Sequence, residues 1–240
     1  RVCVVLTVDQ FRGDYLRRVE EIFRPTGRPG HSVGGFRYLM KYGADFVSAQ
    51  TGHAHNVTGV GISTLLSGAY PYLSGIISNG WYDREQGRMV YCVEDSDEPL
   101  VGDSGDASQG RSPKNLLVTT VGDELKIALG GRSRVVSIAL KDRSAILMVG
   151  HRADLALWFS EMPGYHEKTS VERGHWISSR YYLPRGRLPE WVERWNQFDF
   201  IDRKTPKTWT RLLKTPGYWR STPNPEGGAG DGRGLGPVFP

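Results

Sequence analysis

The segment HNVTGVGISTLLSG (55–68) contains a threonine hydroxyl at a position where a helix could begin. The free backbone N–H groups of a helix N-terminus bind anions, and a hydroxyl placed there could attack phosphorus if a metal ion lowered its pKa. Asn56 or Thr58 could instead simply cap the helix. Thr58 is therefore either a candidate nucleophile or a cap, and this segment alone favours the cap.

Asp9 directly follows the apolar, β-branched segment VCVVLTV (2–8). A carboxylate at the end of a buried strand is a common metal ligand, because the rigid backbone fixes its position. Asp9 could equally cap a helix over residues 11–23. The residues themselves leave both interpretations open.

Two cations stand two residues apart in the segment LKDR (140–143). If strand geometry continues that far, Lys141 and Arg143 point to one side and Asp142 points to the other. Such a pair could clamp a phosphoryl group, with arginine as a planar fork and lysine as a point charge. The alternative is a solvated strand end with Asp142 as the local partner.

Asn79 and the histidines allow further polar chemistry. Asn79, in ISNGWYD, could donate its amide to a phosphoryl oxygen, although Asn-Gly is also a favoured turn dipeptide. His53 and His55 form an HxH pair that could bind a metal from one side of a strand, but a loop role is favoured. The remaining histidines are scattered and receive no role: His31, His151, His166 and His175.

The elements that must position these residues alternate between strands and helices. Apolar and alternating patterns predict strands over residues 2–9, 44–51, 88–95 and 133–141. Helical spacing with Pro and Gly boundaries predicts helices over residues 11–23, 36–43, 112–131 and 188–198. This alternation predicts an α/β fold with a mostly parallel sheet and helices on both faces. Sites in such folds lie at the carboxyl ends of strands, where Asp9, Thr58 and Lys141 are expected.

Composition narrows the class of protein. The 240 residues carry a formal net charge of +5, with 38% hydrophobic and 24% charged residues, as is typical of a globular protein. The charge weakly favours anionic partners. Nucleic-acid binding is not expected, because no dense Lys/Arg run with interleaved aromatics occurs, and no apolar run is long enough for a membrane span. Cys3 and Cys92 could form a disulfide, but two buried free thiols are favoured.

Three segments together resemble the alkaline phosphatase superfamily: LTVDQFRGDYL, HNVTGVGISTLLSGAYPYLSGIISNGWYD and ALKDRSAILMVGHRADLALWF. More narrowly, they resemble the branch that contains the type I phosphodiesterases/nucleotide pyrophosphatases and the phosphate-irrepressible alkaline phosphatases, and within it the latter. The resemblance runs from Arg1 to about residue 200, with separate motifs in the same order and at similar separations.

The resemblance implies a phosphoryl-transfer enzyme with two zinc ions and a threonine nucleophile. Asp9 matches the first zinc-ligating aspartate, and Thr58 matches the nucleophile, which also faces one zinc. Asn79 matches the asparagine that binds a phosphoryl oxygen. Lys141 and Arg143 match the K-x-R pair of monoesterase members, which diesterase members generally lack. Two extra cations suit the additional negative charge of a monoester, so hydrolysis of phosphate monoesters through a phosphothreonine is implied.

The chain departs from the family pattern in two respects. The family usually reads T-G-P-G-H where residues 58–62 read TGVGI, so Ile62 replaces a histidine and the local packing there is in doubt. The remaining family ligands, an Asp and His set, would lie beyond Pro240, so an N-terminal fragment is expected. Residues 1–220 are expected to form part of the catalytic domain, with a cap-like insertion over about 144–200, and residues 221–240 a truncated Gly/Pro-rich loop.

Two rival functions stay open beside the phosphatase. One is a phosphodiesterase or nucleotide pyrophosphatase with the same nucleophile, which Lys141 and Arg143 argue against. The other is a phosphate- or nucleotide-binding protein without catalysis, which Ile62 and the missing ligands favour. The expected partners are small phosphorylated substrates, and the expected location is periplasmic or secreted.

Overall fold

The computed structural model of the chain describes residues 1–18, 35–102, 109–160 and 174–197. The chain divides into two compact units, Arg1–Pro189 and Glu190–Pro240. The elements of the first unit are, in chain order, α1 (Tyr15–Arg18), α2 (Gly35–Tyr42), α3 (Thr58–Ser67), α4 (Pro71–Ser74), β1 (Gly80–Asp83), β2 (Arg88–Tyr91), β3 (Leu100–Val101), α5 (Val121–Ala128), β4 (Val136–Ala139), α6 (Asp142–Val149), β5 (Leu155–Ser160) and β6 (His175–Ser179). The described helix of the second unit is α7 (Glu190–Asn196).

The strands form a hairpin and a four-stranded sheet. Strands β1 and β2 pair antiparallel, and the larger sheet has the order β3-β6-β5-β4. Strands β4 and β5 are parallel and α6 connects them, as a parallel pair requires a crossover. Strand β6 pairs antiparallel with β5 and β3. The predicted α/β class is confirmed. Among the strand pairs of the described residues, β4–β5 is parallel and the others are antiparallel.

Helix α6 lies at the centre of the packing. Ala145, Ile146 and Leu147 are completely buried, and the helix packs against β4, β5, α3 and α5. Five of the six residues of β5 are also buried, which accounts for its continuous apolar sequence LALWF. Ile62 of α3 is partly buried and packs against the same hydrophobic core.

Two of the predicted strands are wrong. Residues 2–9 and 44–51 have no strand structure, and their apolar side chains are exposed, with Val2 at 90%, Leu6 at 77% and Phe46 at 80%. A strand needs a neighbour that supplies backbone hydrogen bonds and an apolar face. The described part of the chain offers neither segment such a neighbour, so their sequence pattern alone does not order them.

The helix predictions differ most at their starts. Instead of beginning at Ser112-Pro113, α5 begins after Thr120, because Thr120 and Asp123 form a reciprocal capping box, while the Ser112 hydroxyl donates to Asp95. The helix predicted over 11–23 is limited to α1 within the described residues. The predictions over 36–43 and 188–198 are confirmed by α2 and α7, and β4 and β2 confirm shorter versions of two strands.

The two cysteines occupy different environments. Cys3 is exposed and Cys92 is buried, and neither forms a disulfide, so the expectation that both are buried is wrong for Cys3. The exposure of Cys3 follows from the absence of strand structure over residues 2–9. Among the described residues, no helix combines the length and apolarity that crossing a bilayer requires.

Candidate functional site

Thr58 is the first residue of α3, and its side chain contacts Asp9. The backbone of the preceding residue, Val57, is extended and caps the helix without a side-chain hydrogen bond. The Thr58 hydroxyl is therefore not used as a cap. It donates instead to Asp9 Oδ2 over 3.1 Å, across 49 residues of sequence. The structure thus brings the candidate nucleophile and the candidate metal ligand together at a helix N-terminus.

Asn79 is held by the backbone of the same helix. The N–H of Gly59 donates to Asn79 Oδ1 over 2.8 Å, so the amide oxygen accepts a hydrogen bond from the helix and the NH₂ group is the donor of this side chain. Asn79 precedes β1, and its own carbonyl oxygen accepts from the Cys92 N–H, so the Asn-Gly pair begins a strand and is not the hairpin turn. This placement agrees with a role in donating to an anion near Thr58.

Lys141 and Arg143 lie at the start of α6 rather than on a strand. Strand β4 ends at Ala139, Lys141 is the N-cap residue, and Asp142 begins the helix. The strand geometry that would place both cations on one side is therefore wrong. The two residues nevertheless lie just beyond the carboxyl end of a parallel strand, the edge at which α/β proteins place their sites.

The two cations differ in their surroundings. Lys141 is exposed, whereas Arg143 is partly buried and donates from Nη1 to the Tyr91 hydroxyl over 3.0 Å. Burial opposes the charge of Arg143, but the bond to Tyr91 and the Asp142 carboxylate together raise the pKa of Arg143 above its usual value. Arg143 is therefore a charged side chain whose position is held by Tyr91, whereas the Lys141 side chain is exposed.

The partners of Arg143 form a network that the sequence did not reveal. Tyr91 donates to Asp142 Oδ1 over 2.6 Å, and Arg111 Nε donates to Asp142 Oδ2 over 2.7 Å. The Arg111 guanidinium also lies over the Tyr91 ring, 5.2 Å from its centroid. Tyr91 and Arg111 stand in a strand and a loop with no motif around them, so no sequence signal identifies them, and the segment LKDR predicts only a local role for Asp142.

Helix packing joins the two halves of the site. Helix α3, which begins with Thr58, packs against α6, which begins beside Lys141. The buried Cys92 packs against α3, because its Sγ would be 3.4 Å from a Cβ placed on Gly59. Burial raises the pKa of the Cys92 thiol to about 12, so it stays neutral and serves as packing.

The donor atoms near Thr58 can supply part of a metal site. Asp9 and Thr58 present a carboxylate and a hydroxyl oxygen 3.1 Å apart, which suits two ligands of one divalent cation. Across the described ranges no group of three or more His, Cys, Asp or Glu side chains comes together, so this pair is an incomplete set. His53 Nδ1 contacts the His55 carbonyl oxygen and His55 Nε2 contacts Ser78 Oγ, so the HxH pair does not converge on one point.

A polar cleft of about 480 Å³ adjoins the arginine network. Tyr91 and Arg111 contribute to its lining, which is otherwise mainly polar. The cations in its wall are engaged by acids: Arg88 with Glu94, and Lys114 with Asp95 and Asp97. The cleft therefore offers no concentrated positive charge of its own.

Comparison with known proteins places this fold in one class. The sequence model of the type I phosphodiesterase / nucleotide pyrophosphatase family matches residues 3–220. The chain belongs to that family. Alkaline phosphatase PhoV of Synechococcus elongatus is 37% identical over 222 residues, which cover 92% of this chain and 36% of that protein. A Myroides odoratus protein named calcium-transporting ATPase is 34% identical over 222 residues, covering 92% of this chain and 37% of that protein.

Solved structures confirm the alkaline phosphatase-like fold. The crystal structure of alkaline phosphatase PafA, a protein of Elizabethkingia meningoseptica, matches with a TM-score of 0.76 and 33% identity, covering 89% of this chain and 37% of that one. A PafA variant with a threonine, an asparagine, a lysine and an arginine substituted matches with a TM-score of 0.71 and 31% identity over 90% of this chain and 38% of that one. The chain spans about a third of the length of these relatives.

Proposed function

We propose that the protein containing this chain hydrolyses phosphate monoesters through a phosphothreonine formed on Thr58. The observation that carries this proposal is the contact between Thr58 at the start of α3 and Asp9, with Asn79 held beside it by the Gly59 N–H. A hydroxyl at a helix N-terminus that is not used as the helix cap, with a carboxylate and an amide donor beside it, suits attack on an anion.

The proposed reaction has two steps, transfer of the phosphoryl group to Thr58 and hydrolysis of the phosphothreonine. The Thr58 hydroxyl, held beside Asp9, gives its proton to solvent, and its oxygen attacks phosphorus. The new P–O bond forms as the bond to the leaving alkoxide breaks, and the leaving oxygen takes a proton from solvent. Water then attacks the phosphothreonine, releasing inorganic phosphate and restoring the hydroxyl. Asn79, Lys141 and Arg143 donate to the non-bridging oxygens in both steps.

Asp9 and Thr58 would hold a divalent metal, for which we propose zinc. When bound, it would lower the pKa of the hydroxyl and neutralise charge on the phosphoryl group. We further propose a periplasmic or secreted location and small phosphorylated substrates, both of which rest on the family resemblance.

The four residues substituted in the PafA variant support the site assignment. They are a threonine, an asparagine, a lysine and an arginine, in the same order and at the same separations along the chain as Thr58, Asn79, Lys141 and Arg143. This agreement adds a reason to treat the four positions as one functional set.

The test uses the longest natural chain that contains this sequence, loaded with zinc. Thr58→Ala is expected to lower hydrolysis of an aryl phosphate monoester at least about a thousandfold, since loss of a nucleophile removes the covalent route. The matched control is Ser67→Ala, which removes a hydroxyl bonded to the Ser63 carbonyl oxygen at the other end of α3. An active Thr58→Ala enzyme would overturn the assignment of the nucleophile.

The family description favours one second candidate, a phosphodiesterase or nucleotide pyrophosphatase. The same nucleophile would serve it, but the cations at the start of α6 suit the higher charge of a monoester. Replacing Lys141 and Arg143 by alanine together is expected to lower monoester turnover far more than diester turnover. Equal losses, or a parent enzyme that prefers the diester, would favour the second candidate.

A further inference from the structure

Arg143 is fixed by a chain of hydrogen bonds whose direction is determined. Its Nη1 donates to the Tyr91 hydroxyl, so that hydroxyl must direct its single proton elsewhere. The proton goes to Asp142 Oδ1, 2.6 Å away, while Asp142 Oδ2 accepts from Arg111 Nε. The chain therefore runs from Arg143 through Tyr91 to Asp142, and Arg111 anchors its far end.

Each member of this chain is itself held in place. Asp142 Oδ1 also accepts from the Arg143 N–H over 2.7 Å, so the carboxylate binds both the backbone and, through Tyr91, the side chain of the next residue. Arg111 Nη1 donates to two backbone carbonyl oxygens, those of Gln109 and Gly110. The Asp142 and Arg111 side chains are only 14% and 21% exposed, so water competes little for these bonds.

One donor of Arg143 has no acceptor within the described part of the chain. Its Nε is buried and unpaired there, although a buried donor without an acceptor costs free energy. An anion bound at the start of α6 would supply the missing acceptor. The guanidinium is thus anchored by Nη1 and has donor capacity left for a phosphoryl oxygen.

We propose that Tyr91, oriented by Asp142 and Arg111, is a positioning residue that holds the Arg143 guanidinium for the phosphoryl group and so sets the preference for monoesters over diesters. This inference rests on the proposed role of Arg143 in binding phosphoryl oxygens. Tyr91 acts through Arg143 and does not itself touch the substrate.

The test compares Tyr91→Phe with the parent in the longest natural chain, loaded with zinc. The variant keeps the ring and removes the oxygen that accepts from Arg143. The kcat/KM for an aryl phosphate monoester is expected to fall about tenfold, as for loss of a hydrogen bond to a charged group. The kcat/KM for the matching diester is expected to change less than about twofold.

Tyr182→Phe is the matched control. Tyr182 is buried, and its hydroxyl donates over 2.8 Å to the carbonyl oxygen of Gly150, at the opposite end of α6 from Arg143. The Tyr182→Phe substitution removes a hydroxyl that contacts the opposite end of the same helix, and it does not touch Lys141 or Arg143. The ratio of monoester to diester kcat/KM is therefore expected to match that of the parent.

A double-mutant cycle tests whether Tyr91 acts through Arg143. In an Arg143→Ala background, Tyr91→Phe is expected to leave the monoester to diester ratio unchanged, because the group it positions is absent. An undiminished tenfold effect in that background would overturn the proposal. So would equal losses on both esters in the single variant, even with the Thr58 nucleophile confirmed.

Binding of inorganic phosphate supplies a readout that does not depend on turnover. Calorimetric affinity for phosphate is expected to fall about tenfold in Tyr91→Phe and to stay at the parent value in Tyr182→Phe. If Thr58→Ala shows that the proposed reaction is wrong, this measurement still decides the role of Tyr91. Equal phosphate affinity of Tyr91→Phe and the parent would then overturn it.

Discussion

Gly59 marks the closest approach of the α3 backbone to the side chains of the site. A Cβ at this buried position would lie 3.1 Å from Asn79 Oδ1 and 3.4 Å from Cys92 Sγ. These separations are short for a carbon atom, so the side chain of Asn79 would have to move. The glycine that follows Thr58 therefore leaves the room that the Gly59 N–H needs to reach Asn79.

Gly59→Ala is expected to lower monoester kcat/KM about tenfold, because the displaced Asn79 loses its hydrogen bond from the helix. The free energy of unfolding should fall by about 1 kcal/mol, since the neighbours of a tight position must shift. Enzyme kinetics and thermal unfolding of the longest natural chain measure the two effects. Parent-like activity would contradict the role given to Asn79.

Gly61→Ala, two residues further along α3, is the control for Gly59→Ala. A Cβ there would meet only Asn56 Oδ1, at 3.0 Å, and the Asn56 side chain is exposed and can turn away. Alanine also raises helix propensity by up to about 1 kcal/mol over glycine. Gly61→Ala should therefore be neutral or stabilising, with kcat/KM close to that of the parent.

At this scale the sequence pointed to the candidate reacting groups but not to their supports. The residues alone left Asp9, Thr58 and Asn79 open between structural and chemical roles, and the family resemblance singled them out. The structure brings Thr58 into contact with Asp9, and the Gly59 N–H into contact with Asn79. Tyr91 contacts Asp142 across 51 residues, through side chains that carry no local pattern. Such a pairing depends on how β2 and α6 pack, which one sequence does not reveal.

Elements with strong local signals were predicted, and those that depend on a neighbour were not. Helix α2 ends before Gly43 and α7 begins after Pro189, as the sequence indicates. The start of α5 was misplaced although its capping pair, Thr120 and Asp123, is visible as T-x-x-D. The segments 2–9 and 44–51 have strand-like patterns, but a strand exists only where another strand pairs with it. The cap-like insertion over 144–200 stays a prediction.

Asp154 lies just before β5 and links α5 to the residues that precede β4. Its carboxylate accepts from Lys126 of α5, from Arg134 and from the Val135 N–H that precedes β4. Partial burial alone would raise its pKa, but these hydrogen bonds prevail and hold the pKa of Asp154 below its usual value. The charged carboxylate therefore stabilises the folded state.

Asp154→Asn is expected to lower the free energy of unfolding by about 2 kcal/mol at pH 7. Because the folded-state pKa is the lower one, this stabilisation is present above the unfolded pKa and is lost as pH falls through the folded pKa. The difference between variant and parent should therefore shrink below about pH 4. Denaturant titration at several pH values measures it. Asp97→Asn is the control. The Asp97 side chain pairs with Lys114 but is 83% exposed, so this change should alter the free energy of unfolding by less than about 0.5 kcal/mol.

Among the described residues, burial decreases from the core around α6 to the segment 2–8. The completely buried residues of α6 lie at one extreme, and the exposed apolar side chains of residues 2–8 lie at the other. Exposed backbone without ladder hydrogen bonds opens at little cost in free energy, whereas buried helices open only with the whole fold. The segment that ends in Asp9 therefore belongs to the least protected part of the described chain.

Hydrogen exchange of the 240-residue chain should show this gradient. Amides of residues 2–8 are expected to exchange at rates near those of an unstructured peptide, while those of Ala145, Ile146 and Leu147 should be protected by factors of about a thousand or more. Mass spectrometry of peptic fragments measures both. Strong protection of residues 2–8 would contradict the predicted gradient.

The β4–α6–β5 unit also has a kinetic consequence. Its parallel pair closes within residues 136–160, whereas the contact of Asp9 with Thr58 spans 49 residues. Contacts between residues that are close in sequence have a lower entropic cost of loop closure, so they tend to form before distant contacts. The cation pair at the start of α6 should therefore be in place in the folding nucleus, and the nucleophile should meet Asp9 only late in folding. Destabilising changes in α6 would then slow folding, whereas changes at Asp9 would leave the folding rate unaltered.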